Sequence, residues 1–356
     1  MERNGVREIR TFNIQHSTPN AQSRTRRGHW TLNAKWWALN VAFALGWFSL
    51  EDSARGNGAA DRPTVIITVG AAGEADFGKE FAEWAELWTN ASVKAGANHV
   101  TIGLDPTNAT TDLSLLKQSL VNEPTNSTAE LWLVLIGHGT FDGKEAKFNL
   151  RGPDLSATEL GEWLKPFRRP VIVINCASSS SPFINTLSAP GRVIVTATRS
   201  GHEENFARFG KFIAEAIPDS AADLDKDDQT SLLEAFIMAS RRVGEFYEAE
   251  GRLATEHALL DDNGDGLGTS ADFFRGVRAV KKPAGGGSVD GLRAHQIHLV
   301  RSEREQRMPA NVRERRDELE LAIARLREAK ASLPNDDYYR RLEQLMLELA
   351  KLYSPQ

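Results

Sequence analysis

The chain has one cysteine in 356 residues, Cys176, and this scarcity excludes intramolecular disulfides and metal sites built from several cysteines. It also lacks an excess of positive charge: the formal net charge is -5, which disfavours a nucleic-acid-binding protein. No apolar run reaches the roughly 20 residues that a transmembrane helix needs. No Gly-x-Ser-x-Gly elbow, the signature of α/β-hydrolase nucleophiles, is present either.

An apolar stretch at residues 36–50 follows a polar segment that contains Arg26 and Arg27. Its length of about fifteen residues fits the apolar core of a signal peptide better than a membrane span. Residues 1–60 are therefore predicted to be a signal peptide or membrane-anchor region. The protein would then be periplasmic or extracellular, or anchored in the inner membrane by residues 36–50. A disordered tail with an apolar patch is the alternative.

Short apolar runs alternate with amphipathic stretches over residues 61–217. The runs predict buried strands, and the stretches predict helices. The predicted strands are residues 64–69, 100–104, 131–136, 171–174 and 191–198. Strands that alternate with helices are typical of a mostly parallel sheet covered on both faces. We therefore expect a three-layer α/β domain.

Two of these strands end at reactive side chains. The run 131–136 leads to Gly137-His138-Gly139, and the run 171–174 leads to Cys176. Because parallel strands place their carboxyl ends at one edge of the sheet, His138 and Cys176 are expected to be neighbours. A thiolate is a nucleophile, and a nearby His can move its proton. The amides of Gly139 and Cys176 could form an oxyanion hole. A buried inert Cys and a structural His are the alternatives.

The order strand, His-Gly, strand and Cys resembles the caspase-like (clan CD) cysteine peptidases, which include caspases, legumains, gingipains and separase. The Cys-Ala-Ser-Ser-Ser turn at 176–180 and the Val-Thr-Ala-Thr strand at 195–198 are most similar to the legumain-like branch. The resemblance implies a caspase-like fold with Cys176 as nucleophile, His138 as general acid/base and Gly139 as oxyanion donor.

The resemblance also implies a substrate pocket built partly from the strand 193–198 and the loop after it. Thr198 and Ser200 are the candidate pocket residues. Legumains carry an acidic residue two positions before the nucleophile, and this chain has Ile174 there. Substrate specificity is therefore not transferred.

Two acidic loops in the segment 218–283 have oxygen-bearing residues at EF-hand spacing, which predicts structural Ca²⁺ sites packed on the peptidase domain. The predicted ligands are Asp223, Asp225, Asp227, Gln229 and Glu234 in the first loop, and Asp261, Asn263, Asp265, Leu267 and Asp272 in the second. Asp228 occupies a position that favours glycine. The pattern is similar to the loop–helix units of dockerins. Solvated Asx turns that cap helices are the alternative.

Residues 284–356 begin with a glycine-rich linker and continue as a charged segment with two leucine-rich stripes, separated by Pro334-Asn335. This pattern predicts a helical hairpin or short coiled coil that packs on the protein or mediates self-association.

The sequence as a whole predicts a cysteine endopeptidase that cleaves protein or peptide substrates through a thioester intermediate. The alternative is a catalytically silent caspase-like interaction module stabilised by calcium. A serine hydrolase that uses the run 178–181 is disfavoured, because the nucleophile elbow is absent.

Overall fold

A computed structural model describes residues 62–283 and 288–353 of the chain. The predicted export or anchor segment at 36–50 lies outside these residues, as does most of the predicted glycine-rich linker. Among the described residues, no helix has both the length and the apolarity that a membrane span requires. Export and anchoring therefore stay predictions.

Strands and helices alternate along the described chain. The strands are β1 (Thr64–Val69), β2 (Asn98–Ile102), β3 (Leu131–Ile136), β4 (Gly139–Phe141), β5 (Ala146–Phe148), β6 (Leu155–Ser156), β7 (Val171–Asn175), β8 (Arg192–Thr196), β9 (Leu259–Asp261), β10 (Thr269–Ser270), β11 (Phe274–Arg275) and β12 (Arg278–Ala279). The helices are α1 (Ala75–Lys94), α2 (Asp112–Asn122), α3 (Ala157–Leu164), α4 (Pro182–Leu187), α5 (Phe209–Ala216), α6 (Leu232–Ala249), α7 (Glu303–Arg307), α8 (Ala310–Glu328) and α9 (Asn335–Leu352).

The central sheet has seven strands in the order β10-β9-β8-β7-β3-β1-β2. Five neighbouring strands of this sheet are parallel: β8, β7, β3, β1 and β2. The strands β9 and β10 add an antiparallel edge. The strands β1, β3 and β7 are buried along their whole length, which is why they read as continuous apolar runs. The predicted α/β fold with a mostly parallel sheet is confirmed.

Helices cover both faces of this sheet. On one face, α1, α5 and α6 pack through a core that includes Trp84, Phe209 and Phe236. On the other face, α2, α3 and α4 pack through a core that includes Leu116 and Phe183. The small antiparallel sheet β4-β5-β6 lies between β3 and α3 in the chain and adds Phe148 to the second core. The molecule therefore has the three layers that the alternating pattern predicts.

The segment after the sheet shares the first core. Ser231 caps α6 in a capping box: its side chain accepts from Glu234 N, and the Glu234 carboxylate accepts from Ser231 N. Further along, Ala294, Ile297 and Leu299 are buried in the same core, and Ile297 O accepts a hydrogen bond from Leu232 N. The chain therefore returns to the domain after the glycine-rich segment.

The predicted C-terminal helical hairpin is present as α8 and α9. Leu319, Ile323 and Leu326 form the buried stripe of α8, and Arg315 forms an ion pair with Glu348 across the two helices. Whether this hairpin mediates self-association stays a prediction.

Candidate active site

Three parallel strands end next to one another at the carboxyl edge of the sheet. In the pairing of β1, β3 and β7, Leu135 lies opposite Thr68 on one side and Asn175 on the other. The loop at 70–74 follows β1, His138 and Gly139 follow β3, and the turn at 176–181 follows β7. Side chains and amides from three separate segments therefore meet at one edge, where open α/β sheets place their sites.

His138 is half-buried and held in one orientation. Its ring lies among Phe77, Phe81 and Phe206, at centroid distances of 5.0, 5.2 and 6.0 Å. Its Nε2 atom lies 3.2 Å from the carbonyl oxygen of Ala72 in the loop after β1. A carbonyl oxygen only accepts, so this contact places a proton on Nε2. In the neutral ring Nδ1 is then the acceptor, as a general base requires.

Gly139 and Ser178 are in direct contact. The Gly139 N–H donates to Ser178 Oγ at 3.3 Å, and the Ser178 hydroxyl donates to Gly139 O at 3.2 Å. A Cβ atom on residue 139 would approach Ser178 O to 2.4 Å, which explains the need for glycine at this position. The structure therefore presents the Gly139 amide, the predicted oxyanion donor, to the side chain of Ser178.

Cys176, the predicted nucleophile, lies in the core of the domain. Its side chain is fully buried, and a Cβ atom on Gly210 of α5 would lie only 2.8 Å from Cys176 Cβ. Burial raises the pKa of the Cys176 thiol, and the Glu256 carboxylate raises it further. An activated thiolate requires the opposite shift. Among the hydrogen bonds of the described residues, none joins Cys176 to His138.

The amide of Cys176 is also unavailable as an oxyanion donor. Its N–H continues the sheet ladder by donating to Leu135 O at 2.9 Å. The expectation that the Cys176 and Gly139 amides form an oxyanion hole is therefore corrected. Strand β7 ends at Asn175, one residue beyond the end of the apolar run at Ile174.

The turn after β7 is fixed by its neighbours. Thr198 Oγ1 accepts from Ser180 N at 2.9 Å and from Ser181 N at 3.2 Å, and Ser179 N donates to Glu203 O. Ser179 has φ = 53°, a left-handed conformation that is rare for a residue other than glycine. Its buried hydroxyl has no hydrogen-bond partner among the described residues.

The two predicted pocket residues, Thr198 and Ser200, occupy different environments. Thr198 is fully buried and supports the serine-rich turn at 176–181, called the serine turn below. This position corrects its assignment as a pocket wall. Ser200 lines a cleft of about 420 Å³ together with Phe141, Ser181 and His202. Ser200 is therefore placed where a bound chain could reach it, and Thr198 lies behind the turn.

Glu256 is a buried carboxylate near Cys176. It accepts from the N–H groups of Arg208 and Phe209 at the start of α5, at 2.8 and 2.9 Å, and from Tyr247 Oη at 3.2 Å. Burial raises its pKa, and the two amide donors act in the opposite direction. Glu256 caps α5 and adds negative charge near Cys176.

The first acidic loop brings three of its predicted ligands together. The carboxylates of Asp223, Asp225 and Asp227 have oxygens within 4.8 Å of one another. The Asp223 side chain accepts from the amides of Lys226, Asp227 and Asp228, and Asp228 has φ = 72°. The loop therefore adopts the left-handed residue that the EF-hand pattern requires at this position, despite the lack of glycine.

The other two predicted ligands of this loop make contacts of their own. Glu234 accepts from Leu224 N and from Ser231 at the start of α6, and Gln229 Oε1 accepts from Ser302 N. Asp225 Oδ2 also lies 2.9 Å from His295 Nε2.

The second acidic loop is closed by local hydrogen bonds. Asp261 accepts from Gly264 N and Gly266 N, Asn263 from Asp265 N, and Asp265 from Leu267 N. Asp272 contacts Lys281 and Ser270. Within the described part of the chain, the acidic residues of this loop form no cluster like that of Asp223, Asp225 and Asp227. Of the ten predicted metal ligands, the structure therefore brings three together: Asp223, Asp225 and Asp227.

No protein-family model matches the chain, and no curated protein matches it. Solved structures that match include the initiator caspase Dronc of Drosophila, with 14% identity over 60% of this chain and 84% of that chain, and a TM-score of 0.41. A protein of Geobacter sulfurreducens matches with 10% identity, 51% and 88% coverage, and a TM-score of 0.35. Caspase-1 of Spodoptera frugiperda matches with 8% identity, 57% and 87% coverage, and a TM-score of 0.36. At these scores the matches carry no argument about chemistry.

Proposed function

We propose that the protein is a peptidase of caspase-like architecture, which hydrolyses peptide bonds at the carboxyl edge of its sheet. One observation carries this proposal: the Gly139 amide contacts the turn after β7, and the preceding residue, His138, has its Nε2 bonded to Ala72 O, which leaves Nδ1 as the proton acceptor. A proton acceptor and an N–H donor on consecutive residues at the sheet edge are two of the components that acyl transfer requires. The nucleophile would come from the turn at 176–181.

The reaction follows from these positions. A nucleophile of the turn attacks the peptide carbonyl carbon, and His138 Nδ1 takes its proton. The negative charge that develops on the carbonyl oxygen is stabilised by the Gly139 N–H. His138 then gives the proton to the departing amine, and water hydrolyses the acyl-enzyme with His138 as the base. In the cysteine version that the sequence predicts, Cys176 forms a thioester, and its thiol must leave the buried position described above.

The cleft lined by Ser200, Phe141 and His202 is the proposed binding site for the substrate chain. Its volume of about 420 Å³ and its position beside the serine turn suit an extended peptide. Its walls carry both charge signs, with Lys144, Glu145 and Arg199. The geometry therefore favours a peptide substrate without selecting a charge at the cleavage point.

A peptide library offered to the purified protein, with products read by mass spectrometry, tests this proposal. We expect cleavage by the wild type and a loss of roughly a hundredfold or more in His138→Ala. The matched control is His99→Ala, because His99 is exposed on β2 and lies at the amino end of the sheet. Equal cleavage by wild type and His138→Ala would contradict the role of His138. A wild type that cleaves nothing would contradict the peptidase proposal.

A second candidate function is a caspase-like interaction module without turnover. The burial of Cys176 favours it, because a fully buried thiol is normally an inert packing group. In this case the wild type and His138→Ala would bind the same library peptides with equal affinity, and mass spectrometry would find none of them cleaved.

We also propose that the first acidic loop binds Ca²⁺ with a structural role. The support is the convergence of Asp223, Asp225 and Asp227, since carboxylate oxygens are the ligands that Ca²⁺ prefers. The ion would offset the repulsion between these carboxylates and fix the loop that precedes α6.

A further inference from the structure

We propose that a row of three exposed side chains along α9 and its C-cap, Tyr339, Met346 and Tyr353, is the contact surface for a second copy of this chain. The two copies would pair through α9 in antiparallel orientation. This inference goes beyond the proposed peptidase function and does not depend on it, because it concerns the helical hairpin of α8 and α9.

Helix α9 has two apolar stripes, and α8 packs on one of them. The inner stripe, which is buried or half-buried, consists of Tyr338, Leu342, Leu345, Leu349 and Leu352. The outer row keeps a large part of its surface in contact with solvent: Tyr339 is 56% exposed, and Met346 and Tyr353 are each 46% exposed. The apolar side of α9 is therefore wider than its one neighbouring helix covers.

The outer row follows the spacing of a coiled-coil core position. Its three members are seven residues apart, and seven residues make nearly two full turns of an α-helix. Leu342 and Leu349 each follow a member of the row by three residues, as the second core position of a heptad does. Over about 21 Å of helix, the row therefore forms a seam of the kind that packs against another helix with the same repeat.

The order of the side chains in the row is the same in both directions. Met346 lies in the middle, and a tyrosine lies seven residues away on either side. If a second α9 runs antiparallel with the two-fold axis beside Met346, Tyr353 of one copy lies opposite Tyr339 of the other. A two-fold interface requires such self-complementarity, because both copies contribute the same surface. The row therefore fits a second copy of this chain.

The charged residues beside the row are compatible with this pairing. In the antiparallel arrangement, Glu343 is level with Leu349 of the second copy, and Arg340 is level with Leu352 of the second copy. Like charges that face each other across an interface would oppose association. In this pairing, the two charged side chains next to the row each lie level with a leucine instead.

The exposed area sets the expected strength of the dimer. About half of each side chain in the row is exposed, and an aromatic side chain offers about 150–250 Å². With the adjacent Leu342, Leu349 and Ala350, each copy would bury on the order of 400–500 Å². The total, on the order of 1,000 Å², is at the lower limit of specific interfaces. We therefore expect a weak dimer that forms in a concentration-dependent manner.

Sedimentation velocity of the full-length protein over a range of concentrations tests this inference. We expect the wild type to dimerise with a dissociation constant in the micromolar range. Met346→Glu places two carboxylates beside the two-fold axis, and we expect it to raise this constant by at least about a hundredfold, because like charges repel in an apolar contact. Gln344→Glu is the matched control: it adds the same charge at an exposed position on the opposite side of α9 and should behave as wild type.

A cysteine at the centre of the row tests the orientation of the two helices. Mild oxidation of Met346→Cys should join two copies by a disulfide, because residue 346 lies beside the two-fold axis of the proposed pair. Gln344→Cys should remain a monomer on a non-reducing gel. The native Cys176 is fully buried and does not compete in this reaction.

A wild type that stays monomeric at every concentration would overturn the inference. A dimer that Met346→Glu leaves intact would overturn it as well, because the contact would then lie elsewhere. Equal disulfide formation in Met346→Cys and Gln344→Cys would have the same consequence. If circular dichroism shows that Met346→Glu folds poorly, the comparison of the two cysteine variants decides between these results.

Discussion

The alternation of side chains along β7 determines where Cys176 points. Ile172, Ile174 and Cys176 alternate with residues that face the other layer, and all three lie in the core beneath α1 and α5. The Cys176 side chain therefore continues a strand face, and α5 closes over it. This placement gives the thiol a packing role and separates it from solvent.

A thiol in this environment should react slowly in the native protein. We expect iodoacetamide at pH 8 to alkylate native Cys176 at least about a hundredfold more slowly than the unfolded chain, since only the thiolate reacts and burial limits access. The raised pKa keeps the native thiol protonated at pH 8 to 9, where a free cysteine, with a pKa of about 8.5, is substantially ionised. The measurement is labelling followed by mass spectrometry, with and without urea.

The same labelling on His138→Ala is the control for this prediction. A buried thiol should keep its slow rate in that variant, whereas a thiol activated by His138 should slow down. Native labelling as fast as that of the unfolded chain would contradict the buried placement and would favour Cys176 as the nucleophile.

At the scale of the elements, the loop after β8 supports the turn after β7 through one hydroxyl. Thr198 Oγ1 is the acceptor for two consecutive amides; Thr198 and Ser180 are buried, and Ser181 is half-buried. Without this oxygen, the buried N–H of Ser180 and the half-buried N–H of Ser181 would both lose their acceptor. The two strand ends are thus fixed to each other by a side chain whose contribution can be measured.

Thr198→Val keeps the shape of this side chain and removes its oxygen. We expect a loss of about 2 kcal/mol or more in the free energy of unfolding, because the orphaned buried amide of Ser180 costs about 1–3 kcal/mol and the half-buried amide of Ser181 adds to this cost. Urea denaturation measures this change. Thr158→Val, at an exposed position of α3, is the control and should change stability by less than about 0.5 kcal/mol. A Thr198→Val variant as stable as this control would contradict the structural role of Thr198.

The first acidic loop gives a prediction about calcium. If Ca²⁺ binds the folded loop, its presence at a hundred times the dissociation constant should stabilise the protein by about 2.7 kcal/mol. Thermal melting with CaCl₂ and with a chelator measures this difference. We expect Asp225→Asn to remove it and Asp265→Asn to keep it, because only the first loop brings its carboxylates together. Identical melting temperatures with CaCl₂ and chelator would contradict calcium binding.

The sequence predicted the bounds of the strands better than it predicted which residues of neighbouring strands lie side by side. The bounds of β1 and β3 follow from their apolar runs, because a strand buried on both faces requires apolar residues throughout. The register between β3 and β7 is set by packing across the sheet, and no local pattern encodes it. The predicted pair of Cys176 and His138 requires the Cys176 side chain to lie beyond the sheet. One additional residue in β7, Asn175, together with the bonded amide of Cys176, extends the sheet, so this side chain lies in the core.

At the scale of the whole molecule, residues 288–302 could not be recognised as part of the core from sequence. The segment is polar and follows glycines, and its buried residues are spaced without a regular period. Nevertheless Asp290 accepts from the amides of Asp262 and Asn263 and from Thr269 Oγ1, and Ile297 lies against α6. These contacts are long-range, so only the assembled structure shows that this segment closes the domain.

Two truncations test this closure. A chain that ends at residue 309 keeps Ala294, Ile297 and Leu299 in the core, and we expect it to unfold in one cooperative transition. A chain that ends at residue 283 loses these three side chains and uncovers part of α6. At roughly 1.5–3 kcal/mol for each buried apolar side chain, the loss is on the order of 5 kcal/mol and is comparable with the total stability of a typical domain.

Circular dichroism melting and size-exclusion chromatography measure the outcome, with the full-length chain as the control. The chain that ends at residue 283 should melt without a cooperative transition or elute as an aggregate. Equal melting temperatures for the two truncations would show that residues 284–309 are a dispensable appendage, as the glycine-rich sequence alone suggests. If the chain that ends at residue 309 also fails to fold, the domain extends to α8 and α9. In the full-length chain, Arg316 of α8 forms an ion pair with Glu305, beside the buried His298.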